Sequence, residues 1–505
     1  MRRFILALTV LAVATGAQAG PINVTNTTDA AIGSLRDAIN NANAAPDFND
    51  INFAIPGPGP WTIHLLSPLP PITSDLAIHG SSAAGYVANT AAPGLPMNGT
   101  LRIELDGASA GANATCLTFS AGSSVDGLVI NNFSGAPAIT VNADGASISR
   151  CYLGTDLTGM IASPNNVGVL LSGGNGAFVS GCLISGNHKR GIEIADFTQA
   201  SITGNYIGTD KTGAAALTNG DSGIQIHNAS TGITVGFLPA SGCTLPTSGP
   251  NVIAFNTGDG VEITGLGVTG NRVASNIIFS NTGLGIDLES DGVTANDNLD
   301  VDGGANLRQN FPVLVSIAGN TIYGNLKSAA SAGYKVQFFW NPACDPANNG
   351  EGKQYLGYAN VNTDATGLAV FAFTCGAIPA GGVITALAID ANGNTSEFSK
   401  CMTSPPTVVG DTPQACALGA NVPNPFNPST IIPYRVNATT LVHIAVYDAS
   451  GTLVKVLVDG TRGPGAWTVA WHGDDEHGQR VASGVYFCRM RAGSFDETRK
   501  LVLVK

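Results

Sequence analysis

A phrase that recurs at spacings of 23 to 25 residues, with longer gaps where loops intervene, constrains the fold of this chain more than any other feature. Four segments start with an aliphatic residue, carry Cys or Asn fourth and two apolar residues next, and end on Asp or Asn: 148–156, 179–187, 202–210 and 273–281. A second phrase, Gly followed by an aliphatic, a variable and another aliphatic residue, alternates with it at 168–171, 191–194, 223–226, 260–263 and 285–288. The chain is therefore a repeat protein.

The length of the repeat decides which kind of solenoid is expected. Gly168 lies 23 residues before Gly191, and Gly260 lies 25 before Gly285. Repeats of roughly 20–30 residues form leucine-rich repeats or β-helix coils, and the fixed Leu and Asn pattern of the former is absent. Short alternating apolar runs between turn residues predict strands, so we expect a parallel β-helix. The 64 glycines fit this fold, because coil corners with positive φ favour Gly and Asn.

Alternation within the second phrase singles out an outward column of polar residues. In Gly-Ile-x-Ile the two aliphatic side chains point inward and x points outward. The x positions carry the binding candidates Glu193, Gln225, Glu262 and Asp287. Glu262 and Asp287 fall on adjacent coils, about 4.8 Å apart along the stack, near the separation of the two carboxyls in retaining glycosidases, and are the catalytic candidates. The alternative interpretation is an ordinary exposed polar face, with its negative charge balanced by residues 188–190.

The fourth position of the first phrase forms a column of its own. Cys151, Cys182, Asn205 and Asn276 should stack at one turn, where Asn side chains can bond to their neighbours above and below. Adjacent coils would allow a disulfide between the two cysteines only if their Cβ vectors converge.

The chain contains nine cysteines, so in an exported protein at least one stays unpaired. Proximity in sequence favours two local pairs, Cys344 with Cys375 and Cys401 with Cys416. The sequence does not determine the connectivity.

The first 19 residues are typical of a secretory signal peptide. Basic residues follow Met1, residues 5–14 are apolar, and Ala17-Gln-Ala19 provides small side chains before Gly20. Export is therefore expected, and no later apolar run is long enough to span a membrane. A formal charge of −12 and a pI near 4.9 argue against a nucleic-acid partner, which would require a basic surface.

Residues 20–312 are assigned to the β-helix with a capping helix at its N-terminal end. Residues 33–43 form an amphipathic pattern with Ser34 as N-cap and Asp37 three residues later. Gly33-Ser-Leu-Arg-Asp-Ala38 resembles the "CSLREA" module of bacterial surface β-helix proteins, with Gly33 replacing its Cys and Asp37 replacing its Glu. This resemblance extends over the coils to about residue 310 and implies a right-handed, pectin-lyase-like solenoid.

An acidic loop follows the last coil. Residues 287–302 include Asp291, Asp297, Asp300 and Asp302, which are the candidate metal ligands. Ca²⁺ takes six to eight oxygen ligands, so a calcium ion is one interpretation. A solvated acidic loop is the other, since the spacing is not that of an EF-hand.

The repeat ends before residue 313, and residues 313–402 predict an immunoglobulin-like sandwich. Apolar runs at 321–323, 335–339, 367–373 and 383–389 have strand length and spacing. Residues 390–399 resemble the "GNTSEFS" ending of the sandwich module that follows such β-helices. Residues 403–418 form a Pro-rich linker.

Residues 419–505 carry the most specific motif. The segment 421–430, Asn-Val-Pro-Asn-Pro-Phe-Asn-Pro-Ser-Thr, precedes strand patterns at 442–447, 467–471, 485–489 and 500–504. This arrangement resembles the C-terminal sorting domain of type IX secretion, whose fold resembles the immunoglobulin-like module of flagellar hook-cap proteins. The resemblance implies secretion machinery as a partner and delivery across the outer membrane of a Gram-negative-type bacterium, to its surface or beyond.

Together these patterns predict an all-β chain: a right-handed parallel β-helix followed by two immunoglobulin-like β-sandwich domains. The first functional hypothesis is a non-enzymatic surface or secreted protein that binds a polysaccharide or surface glycan, or acts as an adhesin. The second is a polysaccharide lyase or glycoside hydrolase acting on the outward column. No nucleophile elbow, P-loop or metal-binding His spacing occurs in the sequence.

Overall fold

The structure, a computed structural model, describes residues 20–45, 49–239, 249–374, 376–404 and 416–504. The expected signal peptide, residues 1–19, lies outside this part of the chain. Among the described residues no helix has the length and apolarity needed to cross a membrane.

The predicted fold class is confirmed. The chain is nearly all β, with three long parallel sheets stacked as in a β-helix, followed by small antiparallel sandwich sheets. It divides into two compact units. The first comprises residues up to Ile233 with Phe255–Thr257, and the second comprises Thr234–Ala254 with Gly258–Lys505.

The first unit contains helix α1 (Leu35–Ala44), a 3₁₀ turn at Gly80–Ser82 and parallel strands. The strands are β1 (Ile22–Val24), β2 (Asn49–Phe53), β3 (Trp61–His64), β4 (Leu76–His79), β5 (Ile103–Asp106), β6 (Leu117–Phe119), β7 (Ser124–Asp126), β8 (Leu128–Asn131), β9 (Ile139–Val141), β10 (Ser147–Ser149), β11 (Tyr152–Leu153), β12 (Val169–Ser172), β13 (Phe178–Ser180), β14 (Leu183–Ile184), β15 (Ile192–Ala195), β16 (Ser201–Thr203), β17 (Tyr206–Ile207) and β18 (Ile224–His227).

Successive coils of this unit add strands to three parallel sheets. The first sheet runs β1-β2-β4-β7-β10-β13-β16, the second β3-β5-β8-β11-β14-β17 and the third β6-β9-β12-β15-β18. The aliphatic residues of the repeat point inward as predicted, since Ile192 and Ile194 are both fully buried. A single coil cannot bury its inward side chains, so this apolar surface becomes buried only when neighbouring coils stack on it.

The N-terminal helix has the predicted capping box. The Ser34 side chain accepts a hydrogen bond from the Asp37 amide at 3.2 Å, and the Asp37 carboxylate accepts one from the Gly33 amide at 2.8 Å. Leu35, Ala38, Ile39 and Ala42 form the buried face predicted for it. The helix packs against β1 and β2, covering the first coil.

Buried amide side chains link neighbouring coils. In the predicted column, Asn205 Oδ1 accepts a bond from the Cys182 amide at 2.9 Å, while Cys151 and Cys182 remain free thiols. A second row was not predicted, and we call Asn187, Asn219 and Asn256 the Asn ladder. Asn219 Oδ1 accepts from the Asn187 side chain at 2.9 Å, and Asn219 Nδ2 donates to Asn256 Oδ1 at 3.0 Å.

The second unit starts with parallel strands and continues with two sandwiches. The parallel strands are β19 (Thr234–Gly236), β20 (Val252–Ala254), β21 (Val261–Ile263), β22 (Arg272–Ala274), β23 (Ile277–Phe279) and β24 (Ile286–Leu288), and a short turn spans Ala305–Arg308. The first sandwich contains β25 (Val313–Ala318), β26 (Thr321–Lys327), β27 (Gly333–Asn341), β28 (Gln354–Asn362), β29 (Leu368–Thr374), β30 (Val383–Asp390) and β31 (Met402–Thr403). The second contains β32 (Ala417–Leu418), β33 (Thr430–Val436), β34 (Thr440–Tyr447), β35 (Leu453–Arg462), β36 (Gly465–Trp471), β37 (Gly484–Ala492) and β38 (Phe495–Leu503).

One disulfide differs from the local pairing expected from sequence. Cys344 is bonded to Cys401, 57 residues away, with Cα atoms 5.9 Å apart. The expected pairs were wrong because the segment after Cys344 pairs with the chain around Cys401, whose amide donates to the Asn348 carbonyl at 3.0 Å. Cys416 is a free thiol, and Cys375 lies outside the described residues.

Candidate functional site

Strands β15 and β18 present two of the predicted binding residues in direct register. Glu193 is the Cα partner of Gln225, and both lie between fully buried isoleucines. Gln225 is 8% exposed, whereas the Glu193 side chain is 21% exposed. The expectation that the whole column is exposed is therefore wrong at Gln225 and holds in part at Glu193.

Glu193 is held between a guanidinium and an imidazole. Its Oε2 lies 3.4 Å from Arg190 Nη1, and its Oε1 lies 3.4 Å from His227 Nε2. Arg190 also pairs with Asp221, at 3.2 Å. The close contact with His227 lowers the pKa of Glu193, and the same contact raises the pKa of His227. Glu193 is thus a carboxylate at neutral pH, and we call Arg190, Glu193, Asp221 and His227 the charged patch.

The catalytic candidates Glu262 and Asp287 also stand in direct register, on β21 and β24. They are only 6% and 4% exposed, so the prediction of an exposed pair is wrong. The chain after β24 folds back against this edge, where the Gly292 amide donates to Asp287 Oδ2 at 3.1 Å. Burial, together with the charges of Asp291 and Glu262, raises the pKa of Asp287.

The acidic loop brings three of its four candidate ligands together. Asp297, Asp300 and Asp302 each offer a carboxylate oxygen within 4.8 Å of the others, and Asp291 is outside this group. Asp300 is tied into the fold, because Oδ1 accepts from the Asn310 amide at 3.0 Å and Oδ2 from the Gln309 side chain at 2.7 Å. Carboxylate oxygens at this spacing suit Ca²⁺, and the calcium site stays a prediction.

Asp300 gives a pH-dependent test of this loop. Burial raises its pKa to about 6, above the value of 3.8 for an unperturbed Asp. Its contribution to stability is therefore present below pH 3.8 and is lost as the pH rises through about 6. Melting temperatures are compared at about pH 5 and about pH 7.5 in the presence of a chelator. Over this interval the melting temperature of the natural chain should fall, and that of Asp300→Asn should fall by about 2 °C less. Equal pH dependence of the two proteins would contradict the assignment.

Calcium distinguishes a cation site from a solvated loop in the same experiment. If the three carboxylates bind the ion, millimolar calcium at neutral pH raises the melting temperature of the natural chain and not that of Asp300→Asn. Asp291→Asn is the matched control, since Asp291 lies outside the group, and it should respond as the natural chain does.

Several residues that shape these sites were not predicted from sequence. The pairing of His227 with Glu193 depends on coil register, because His227 stands opposite Ala195 and not opposite Glu193. Glu351 and Glu397, from the first sandwich, are buried against the last coil and accept amide hydrogen bonds from it. The only sequence signal for Glu397 was the resemblance of residues 390–399 to a recurrent module ending, and Glu351 lies outside that segment.

Comparison with known proteins supports the fold of the last module. The family model described as the FlgD Ig-like domain matches residues 429–495. No curated protein matches the chain. The matched segment is therefore similar to a FlgD-type immunoglobulin-like domain, in agreement with the second sandwich.

Three solved structures are similar to the chain at low sequence identity. Dimeric latent PorU from Porphyromonas gingivalis is 15% identical with a TM-score of 0.20, and the match covers 38% of this chain but only 20% of that one. ORF18 of Geobacillus virus E2 is 13% identical, with a TM-score of 0.29 and coverage of 87% and 86%. The enzymatically active domain of bacteriophage CBA120 tailspike protein 2 is 13% identical, with a TM-score of 0.25 and coverage of 94% and 83%.

Proposed function

We propose that this chain is an exported bacterial surface or secreted protein whose β-helix binds a glycan around Glu193 without cleaving it. The observation that carries this proposal is the charged patch on the third sheet. Its side chains are one fifth to two fifths exposed, and they combine an ionised carboxylate, a guanidinium and an imidazole. Such a set can accept hydrogen bonds from sugar hydroxyls and donate to sugar oxygens.

Pre-organisation supports binding at this patch. Glu193 is fixed from both sides by Arg190 and His227, so little side-chain freedom is lost when a ligand binds. Its strand also belongs to a parallel sheet whose coils repeat about every 4.8 Å, which offers a linear polymer a regular surface.

Enzymatic cleavage at Glu262 and Asp287 is the alternative. Their adjacency and the raised pKa of Asp287 are features of a general acid beside a carboxylate. Both side chains are nearly fully buried, however, and a polysaccharide cannot reach a pair covered in this way. The first hypothesis is therefore preferred.

The route to the surface is a separate part of the proposal. The signal-peptide pattern of residues 1–19, the sorting-domain pattern of residues 421–505 and the FlgD Ig-like match support export by a type IX-like pathway. In this proposal the second sandwich interacts with the secretion machinery, while the β-helix carries the binding function.

Affinity measurements with matched variants test the binding proposal. Residues 20–505 are tested against a panel of acidic and neutral polysaccharides, and Glu193→Gln should weaken binding to the retained glycan about tenfold, or about 1.4 kcal/mol. Glu104→Gln is the control, because Glu104 lies on the second sheet and pairs with Thr62 and Asn131 instead.

Two kinds of outcome would overturn the proposal. The first is a natural chain that binds no glycan of the panel, or a Glu193→Gln variant that binds as tightly as the control. The second is the appearance of reducing ends or unsaturated products that are lost in a Glu262→Gln, Asp287→Asn double variant, which would establish the enzymatic alternative.

A further inference from the structure

The open edge of the last β-helix coil is covered by the first sandwich. Backbone amides at the end of a parallel sheet have no next strand to bond with and need other acceptors. Neutral groups satisfy several of them. Asn394 Oδ1 accepts from Gly270, and Thr395 Oγ1 accepts from Val273, at 2.6 and 3.0 Å. Gln337 Oε1 accepts from the Ser275 amide at 2.9 Å.

Two carboxyl groups satisfy further amides of the same coil. Glu351 Oε1 accepts from the amide and the side chain of Asn281, each at 3.0 Å, and Oε2 accepts from the Ser280 amide. Glu397 Oε1 accepts from the Leu288 amide at 3.1 Å, and Oε2 from the Thr294 amide at 2.9 Å. Both glutamates thus act as end caps of the coil.

These caps are buried without a cationic partner. Glu351 is 7% exposed and Glu397 is 2% exposed, and within the described ranges neither forms an ion pair. The charged group acting on Glu351 is another acid, Asp345, and the one acting on Glu397 is Asp287. The Lys353 ammonium lies over the Phe279 ring, 4.3 Å from its centroid.

Burial without compensation favours the protonated form of both caps. It raises the pKa of Glu351 and of Glu397 to about 7 each, from 4.5 for an unperturbed Glu, although amide hydrogen bonds oppose the shift. The caps therefore stabilise the interface fully below about pH 4.5, and this stabilisation is lost as the pH rises through about 7.

We propose that the first sandwich is a proton-sensitive end cap of the β-helix, closed by protonated Glu351 and Glu397 and loosened when these carboxyls ionise. The chemistry is a proton equilibrium only. Loss of the two protons leaves two uncompensated negative charges between the last coil and the sandwich, beside Asp345 and Asp287. The neutral caps at Asn394, Thr395 and Gln337 do not titrate and give an internal reference.

Hydrogen exchange of residues 20–505 tests this proposal. Protection factors, corrected for the intrinsic pH dependence of exchange, are compared at about pH 5.5 and about pH 8. In the natural chain, the amides of Ser280, Asn281 and Leu288 should lose protection by roughly tenfold or more, and those of Gly270 and Val273 by much less. Glu351→Gln and Glu397→Gln should each reduce this difference at the amides which that residue caps.

Three results would overturn it. These are equal protection of the carboxyl-capped amides at both pH values, greater protection at the higher pH, or an equal loss at the neutrally capped amides. The measurement on the natural chain stands by itself, so it decides the question even where a variant fails to fold.

Discussion

Asn219→Ala is expected to lower the free energy of unfolding of the first unit by about 3 kcal/mol. Asn219 is fully buried, and its Oδ1 accepts from both the backbone amide and the side chain of Asn187, at 3.1 and 2.9 Å. Its Nδ2 donates to the Ile184 carbonyl and to Asn256. Alanine removes all four bonds, and each buried group left without a partner costs about 1–3 kcal/mol.

Urea denaturation of residues 20–505 measures this loss at the transition that reports the first unit. Asn40→Ala is the matched control, because Asn40 lies on the exposed face of α1 and should change stability by less than about 0.5 kcal/mol. An Asn219→Ala midpoint no lower than that of the control would show that the Asn ladder does not hold the coils together.

The β-helix was predictable because its signal is local. Alternation of aliphatic residues around Glu193 predicts a strand and the face that it buries, and the spacing from Gly168 to Gly191 predicts the coil length. Neither prediction requires knowledge of distant contacts. The capping box of Ser34 and Asp37 lies within four residues and was predictable for the same reason. The second sandwich was identified by its motif, and the FlgD Ig-like match supports it.

The candidate site was predicted less well because burial depends on distant chain segments. The outward direction of Asp287 follows from alternation, but its coverage depends on the loop that contains Gly292 and on the nearby sandwich residue Glu397. The disulfide shows the same effect, since the partner of Cys344 is set by pairing between strands and turns 57 residues apart. The caps at Glu351 and Glu397 could not be inferred before the edge they cover was known.

The segment between β32 and β33 closes the edge of β38, the last strand of the second sandwich. The Phe426 amide donates to the Val502 carbonyl, and the Phe426 carbonyl accepts from the Val504 amide, each at 2.9 Å. The Asn424 side chain continues this pairing, donating to the Lys500 carbonyl and accepting from the Val502 amide. These contacts give the Asn-Pro-Phe-Asn-Pro motif a structural role, because an open edge strand would otherwise be free to pair with other chains.

Phe426→Ala is expected to destabilise the second sandwich by about 3–5 kcal/mol and to release the edge of β38. The Phe426 ring is 1% exposed and lies 5.4 Å from the fully buried Trp471, centroid to centroid, so alanine leaves a cavity in the core. Phe487→Ala is the control, since this residue of β37 is 36% exposed and its loss should cost far less. Chemical denaturation gives the energies, and hydrogen exchange of residues 500–504 reports the edge. Equal effects of the two variants, or unchanged exchange of β38, would mean that Phe426 does not hold this strand.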